Sequence, residues 1–372
     1  MRHLFLNGPV QNGTFIFDTR PGKAVGIRLA AVLNAILGSP PAPHLWNTVT
    51  LAGDLRHREA EEPKIPRQRF ETDLIAGKYA PGQSPTGGIM TDTDTEVAGL
   101  ALEMIENNLC AGTLVISRET VPTCRACGHM TGTGGHPCKA CGSTDTRDRA
   151  GLHLVAEPAE DRPVLDRSDI HASHRQQPRH LQGTVGKVPG RLILSRTRDH
   201  GIDLSPFGLD RLVLDPRAGI HATVLAAARR HRAEVAVMTI TQNAANHIAA
   251  HGLHFREHDG IRLRYALHGH LPYNHTAGLQ PLHDTYRATP AIKESFEAWF
   301  LPLFSLQAKA ATRPDQLPAI FRHYIRAHLA RPAAADEEMI EALRRSVEAG
   351  NTEWITQKHA LAAAMTVCEA AA

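Results

Sequence analysis

Apolar positions in the first sixty residues fall into short runs separated by polar turns. "HLFLNG" at 3–8, "GTFIFDT" at 13–19 and "LWNTVTLAG" at 45–53 have strand length and strand composition. Between them, "GKAVGIRLAAVLNAILG" at 22–38 repeats apolar residues at helical spacing and stops on a glycine. A strand–helix–strand start predicts a parallel α/β sheet. "GDLRHREAEEPKIPRQR" reads as a polar connection, and "EVAGLALEMIENNL" as an amphipathic helix that Asp94 or Thr95 would cap. Residues 142–190 are polar and rich in Asp, His and Pro, which predicts irregular structure. A second α/β block follows: "RLILSRTRDHGIDL", "LDRLVLDP", the helix "IHATVLAAARRHR", the strand "EVAVMTIT", the helix "NAANHIAAHGL" and the strand "IRLRYALHGHL". From about residue 281 the pattern is helical to the alanine-rich end. No internal repeat is evident.

Composition narrows the class only slightly. The 372 residues are 42% hydrophobic and 21% charged, ordinary for a globular protein with a sizeable core. The net charge of +3, without a long basic run, argues against an exposed nucleic-acid tail. The N-terminal "MRHLFLNGPVQNG" lacks the apolar core of a signal peptide, and no window reaches the roughly 18 apolar residues of a membrane span. Six cysteines in a chain of this length make a poor disulfide framework, so a cytoplasmic location is expected.

Four of the six stand in "TCRACGHMTGTGGHPCKACG", as Cys124, Cys127, Cys138 and Cys141. Two Cys-x-x-Cys pairs joined by a glycine-rich link suit a tetrahedral zinc ion. His129 and His136 lie between the pairs as alternative ligands, although four thiolates need no substitute. A closed set of four protein ligands leaves no position for water or substrate, so the expected zinc is structural.

Several segments, taken in order, resemble the catalytic core of a class I aminoacyl-tRNA synthetase of the methionyl type. "NGPVQNG…RPGKAVGIRLAAVLNAIL" stands where that family opens its first helix with a His-Ile-Gly-His signature. "MTDTDTEVAGLALEMIENNLCAGTLVISRETVPTC" resembles the stretch leading into its zinc knuckle. "LSRTRDHGIDL", "LVLDPRAGI" and "ITQNAANHIAAHGL" resemble three later core motifs, and "LHGHLPYNHTAG" falls at the Lys-Met-Ser-Lys-Ser loop. The resemblance covers roughly residues 1–280. It implies a Rossmann-like parallel sheet split by a zinc-knuckle insertion and followed by a short helical region. The divisions would be 1–75 and 191–280 for the two half-sheets, 76–190 for the insertion and 281–372 for the helices. No Walker loop competes, because Phe17 stands where the first glycine before Gly22-Lys23 would be needed.

The resemblance also locates departures. Arg20 and Lys23 replace the paired histidines, and with Gly22 they would meet phosphate at a helix N-terminus. No lysine occurs between Lys187 and Lys293, which leaves His275 and Thr276 to face the nucleotide. Leu214 takes the place of the family's tryptophan, and fewer residues than the family uses for its anticodon-reading domain follow "NHTAG". Asp54 and Asp215, both at expected strand ends, are candidates for the substrate's amino group; a solvated turn and a helix N-cap are their alternatives. His247 and Asn7 are further substrate candidates, against a packed helix histidine and a simple turn with Gly8. His247 and His251 have i, i+4 spacing, but Ile248 replaces the glutamate of a metalloprotease helix. Arg196 and Asp199 are expected to pair structurally.

By that resemblance the chain would be a tRNA-independent ligase of specialised metabolism. It would use ATP with Mg2+ to activate an amino acid and join it to an amine or hydroxylamine, on a route to an N–N bond in company with a cupin or other biosynthetic partner. Two rivals stand: the same fold acting on a pre-activated amino acid without ATP, and a non-catalytic paralogue that binds an amino acid or a partner.

Overall fold

The computed structural model describes residues 2–8, 25–47, 88–131, 137–138, 141–157, 165–172, 178–187, 191–198, 201–307, 311–332 and 336–370. The expected strand "GTFIFDT" lies outside them. The central sheet is built on β1 (His3–Asn7), β10 (Val235–Thr241) and β12 (Ile261–His268), all parallel, with β10 in the middle. β6 (Ile170–Ala172) and the short antiparallel β11 (Glu257–His258) share the far edge of β12. Both faces of the sheet are covered, so β10 is apolar almost without interruption. Leu4, Leu6, Ala236, Met238, Leu263 and Tyr265 point into one core, and Phe5, Val235, Val237 and Ala266 into the other.

Two asparagines complete the free edge of β1. Asn34, on α1 (Val25–Leu37), accepts from Phe5 N at 2.9 Å and donates to Phe5 O at 2.8 Å. Asn7 makes the same paired exchange with the backbone of Leu45, at 2.9 Å each way. Leu45 belongs to β2 (His44–Trp46), which pairs in parallel with β3 (Ile89–Thr91). The Asn7 bridge sets that pair beside β1, giving the order β3-β2-β1-β10-β12, the doubly wound half-sheet whose strand order reverses between β1 and β10.

One core lies under α2 (Thr95–Cys110), α4 (Pro216–Arg230) and α5 (Gln242–Ile248). The other lies under α1 and the C-terminal helices, chiefly α9 (Leu317–Leu329), α10 (Glu337–Glu348) and α11 (Lys358–Ala370). Here α3 is Pro178–Gly186, and α6 to α8 are Gln280–Thr285, Pro290–Ser295 and Leu301–Phe304. Asp94 sits at the N-cap of α2 but does not cap it: its carboxylate accepts from Thr91 N and Thr91 Oγ1 instead.

The stretch after residue 142 differs from the irregular structure expected. β4 (Leu114–Cys124) and β5 (Thr146–Ala156) pair antiparallel over their full length, with the knuckle at the tip. The outer half of β5 is exposed on both faces, so it has no buried side to write an apolar alternation into the sequence. The segments expected as core strands at 191–214 are β7 (Leu192–Ile193), on β5, and the pair β8 (Ser195–Arg196) and β9 (Val213–Leu214), all outside the central sheet.

Candidate functional site

Two places concentrate chemistry. At the hairpin tip, the ligand atoms of Cys124, Cys127, Cys138 and Cys141 all lie within 4.8 Å of one another. Each pair is followed by glycine, and Gly128 and Gly142 have φ of +75° and +78°. Their N–H groups bond Cys124 O at 2.9 Å and Cys138 O at 2.7 Å, closing two like turns that aim both sulfurs of a pair inward. The sequence carried this repeat as Cys-Arg-Ala-Cys-Gly and Cys-Lys-Ala-Cys-Gly.

Sulfurs about 2.3 Å from a tetrahedral zinc stand about 3.8 Å apart. Cys124 and Cys141 at 3.5 Å, and Cys127 and Cys138 at 3.6 Å, come close to that spacing. Burial, followed by the neighbouring sulfurs, pushes the Cys127 thiol up to about 12. Burial raises Cys124 as well, but the N–H of Cys127, the Cys141 thiol and the N–H of Ala126 bring it down to about 7. Four crowded sulfurs of this kind call for a cation to share. His129 Nδ1 lies 3.3 Å from Cys127 Sγ, next to the ligand set; His136 is outside the described residues. This is the one His, Cys, Asp or Glu group with metal spacing among the described residues.

The second place is the carboxyl edge of the sheet, at the seam between β1 and β10. Gly8 N bonds Thr239 O at 2.9 Å just beyond the end of β1. The hydroxyl of Thr239 donates to Gly26 O at 2.7 Å, drawing the first turn of α1 over the seam. A Cβ on Gly26 would stand 3.2 Å from Thr239 O and 3.4 Å from its hydroxyl, closer than most side chains tolerate. The described start of α1 therefore lies at the edge where open α/β sheets bind ligands. His268, at the end of β12, lies beside it, with Nε2 3.7 Å from that same Cβ position. Burial lowers His268 to about 4, so it is neutral at pH 7. Sequence reasoning passed over His268; its signal was a histidine closing a strand at the edge where ligands bind.

The other candidate residues separate in space and in kind. Arg20, Gly22, Lys23 and Asp54 lie outside the described residues, as does Asp199. Asn7 is buried and spends its amide on Leu45, holding the sheet rather than ending in a simple turn. His247 is exposed on α5, and His275 is exposed in the 3-10 turn Tyr273–Leu279. Thr276 is buried there and donates to Tyr273 O at 2.9 Å.

Asp215 is fully buried and caps α4, accepting from Arg217 N at 2.9 Å. Its oxygens also accept from Arg217 Nε at 2.9 Å, Arg217 Nη2 at 2.7 Å and Arg196 Nε at 2.7 Å. Arg196 therefore pairs with Asp215; the pairing expected with Asp199 falls outside the described residues. Burial alone would raise the Asp215 pKa; the two guanidiniums outweigh it and hold the carboxyl well below the usual range.

No protein-family model matches the sequence, and comparison with curated proteins returns no significant relative. Solved structures do match. Mycobacterium tuberculosis methionyl-tRNA synthetase in complex with methionyl-adenylate superposes with a TM-score of 0.54 at 12% identity, covering 98% of this chain and 82% of that one. A second structure of the same enzyme bound by methionyl-adenylate gives 0.52 at 10% identity, covering 97% and 81%. The chain therefore has the fold of a class I aminoacyl-tRNA synthetase core. Within that class the likeness is to the methionyl type, and with 98% of this chain covered it runs on into the C-terminal helices. No helix among the described residues is long and apolar enough to cross a membrane.

Proposed function

We propose that this protein is a synthetase-like ligase that activates an amino-acid carboxylate with ATP and passes the acyl group to a small amine or hydroxylamine instead of tRNA. The observation that carries this is the seam: a methionyl-tRNA synthetase fold with the N-terminus of its first helix drawn over the β1–β10 reversal. In such a reaction a carboxylate oxygen forms a bond to the α-phosphorus of ATP, and pyrophosphate leaves with the bonding pair. The amine then bonds to the acyl carbon and AMP leaves. Arg20, Lys23 and the start of α1 would meet the phosphates with preorganised positive charge. Asp54 is the residue assigned to the amino group. Asp215 acts through Arg196 and Arg217, whose guanidiniums it fixes at the rim of the core. Zinc on the four cysteines holds the hairpin tip and takes no part in the chemistry.

One observation favours the reading without ATP. The segment at the lysine loop's position contains no lysine, and it is packed down: Tyr273 and Leu279 are buried. Amino-acid-dependent ATP–pyrophosphate exchange with zinc-replete protein separates the two readings. Exchange with one or a few amino acids supports adenylation. No exchange, with one amino acid still raising Tm, supports the pre-activated substrate or the binding paralogue. Transfer to tRNA in the same assay would overturn tRNA independence. The cupin partner belongs to the same proposal; it predicts an N–N bonded product only when a cupin is added.

A further inference from the structure

A cleft of about 730 Å³ opens between the hairpin and the loop 208–212, away from the β1–β10 seam and in the size range of small-molecule sites. Its walls are partly apolar, from Val121, Met130, Leu152, Leu209 and Leu212. Three arginines line it, Arg149, Arg198 and Arg211, with Asp210 and Cys127; the Arg198 guanidinium also donates to Thr197 O at 2.7 Å. The knuckle side is anchored, since Met130 N donates to Thr197 Oγ1 at 2.5 Å.

His153 forms part of the floor and is 4% exposed. Its Nδ1 meets Ser195 Oγ at 2.8 Å, and that oxygen also accepts from Leu154 N at 3.2 Å. Ser195 is fully buried, so its hydroxyl proton needs an acceptor, and Nδ1 is the one within reach. The proton of neutral His153 is then on Nε2, which lies beside Gly151, 3.7 Å from where a Cβ would stand. Burial, with Arg196 adding to it, lowers His153 below the ordinary histidine range, which keeps this tautomer neutral at pH 7. His153 thus offers a fixed N–H donor in a cleft that three arginines line. Arg211 reaches the cleft from a backbone at φ +63°, a conformation that costs a non-glycine residue energy. A strained arginine at a cleft wall marks a position where the side chain matters more than the turn.

We propose that this cleft is a second ligand site, taking a small molecule with one oxyanion, a carboxylate or a phosphate ester, on an aliphatic body. The oxyanion accepts from Arg149, Arg211 and His153 Nε2, and the body lies on Met130, Leu209 and Leu212. The site is independent of whether the seam uses ATP.

The test uses full-length, 15N-histidine-labelled protein titrated with valerate or with propyl phosphate, and with sodium chloride as the ionic-strength control. The His153 signal is assigned by its loss in His153→Gln, and it is expected to show the Nε2–H tautomer and a saturable shift. A shift with valerate alone assigns a carboxylate ligand, and a shift with propyl phosphate alone a phosphate ester; a shift with both supports the site for either. The double variant Arg149→Gln, Arg211→Gly is expected to bind about tenfold more weakly. Arg211→Gly alone is expected to leave Tm unchanged or raised, because glycine relieves the positive φ. A shift reproduced by sodium chloride, no shift with either probe, wild-type binding by the double variant, or a lowered Tm for Arg211→Gly overturns the proposal.

Discussion

Asp215→Asn separates a scaffold role from a substrate role at the most heavily bonded carboxylate of the candidate set. The side chain is fully buried, and Arg196 and Arg217 are 23% and 34% exposed in their side chains. Asparagine keeps the shape but turns an NH2 toward guanidinium donors and leaves two positive charges unmatched. Removing one partner of a buried ion pair costs about 3–5 kcal/mol. Because both arginines reach water, the lower end applies, about 3 kcal/mol. Urea unfolding followed by circular dichroism at pH 7.5 measures it, and Arg196→Gln added to Asp215→Asn is expected to recover part of the loss. The folded-state pKa of Asp215 is depressed, so its contribution is full above the unfolded value of about 3.9 and is lost as pH falls toward the folded one. The variant's deficit should therefore narrow below about pH 4. An unchanged urea midpoint, together with loss of amino-acid-dependent stabilisation, would refute the scaffold assignment and restore Asp215 as a direct substrate contact.

Other predictions rest on separate features. Cys138→Ser should lower zinc content by metal analysis and Tm together; lost activity at unchanged Tm would contradict a structural zinc. Gly252→Ala would set a Cβ 2.1–2.3 Å from the ring atoms of His221, which is held at 2.7 Å both by Tyr265 OH and by Arg217 O. A cost of about 3 kcal/mol is expected in urea unfolding, and well under half of it in a His221→Ala background. Burial lowers His44, His171, His221 and His268 to about 4 each. The unfolded chain takes up these protons first, so the histidines' contribution to stability, followed by urea unfolding against pH, should be flat above about 6.5 and fall between about 6.5 and 4.

The parts of the fold that the chain announces are those whose burial repeats along it. β10 is buried between two helical layers, and "VAVMTIT" shows it. α1 ends where Gly38 follows its last apolar residue, and the four cysteines gave the knuckle outright. What stayed hidden depends on partners far apart in sequence. The amides of Asn7 and Asn34 serve as substitute strand edges, a role that exists only once Leu45 and Phe5 stand beside them. The N-cap of α4 was legible at Asp215, but Arg196, nineteen positions earlier, comes to it only through the β8–β9 pairing. β5 was missed because solvent touches both faces of its outer half, so backbone pairing to β4 rather than side-chain burial defines it.

The segment after β12 has a further consequence. Gly269 N bonds Ser305 O, Thr312 N bonds His270 O, and Tyr273 donates to Glu297 O at 3.0 Å. From α1, the buried Arg28 donates to that same hydroxyl at 3.0 Å and to Glu297 O, with its guanidinium 5.1 Å from the centre of the Tyr273 ring. A loop fastened on two sides is a fixed wall, where a hinged lid would have to break these bonds to open. Ligand capture at the seam then needs no closing step from this segment, and if it alone gates the seam, the observed rate in stopped-flow mixing should rise in proportion to ligand concentration without levelling off.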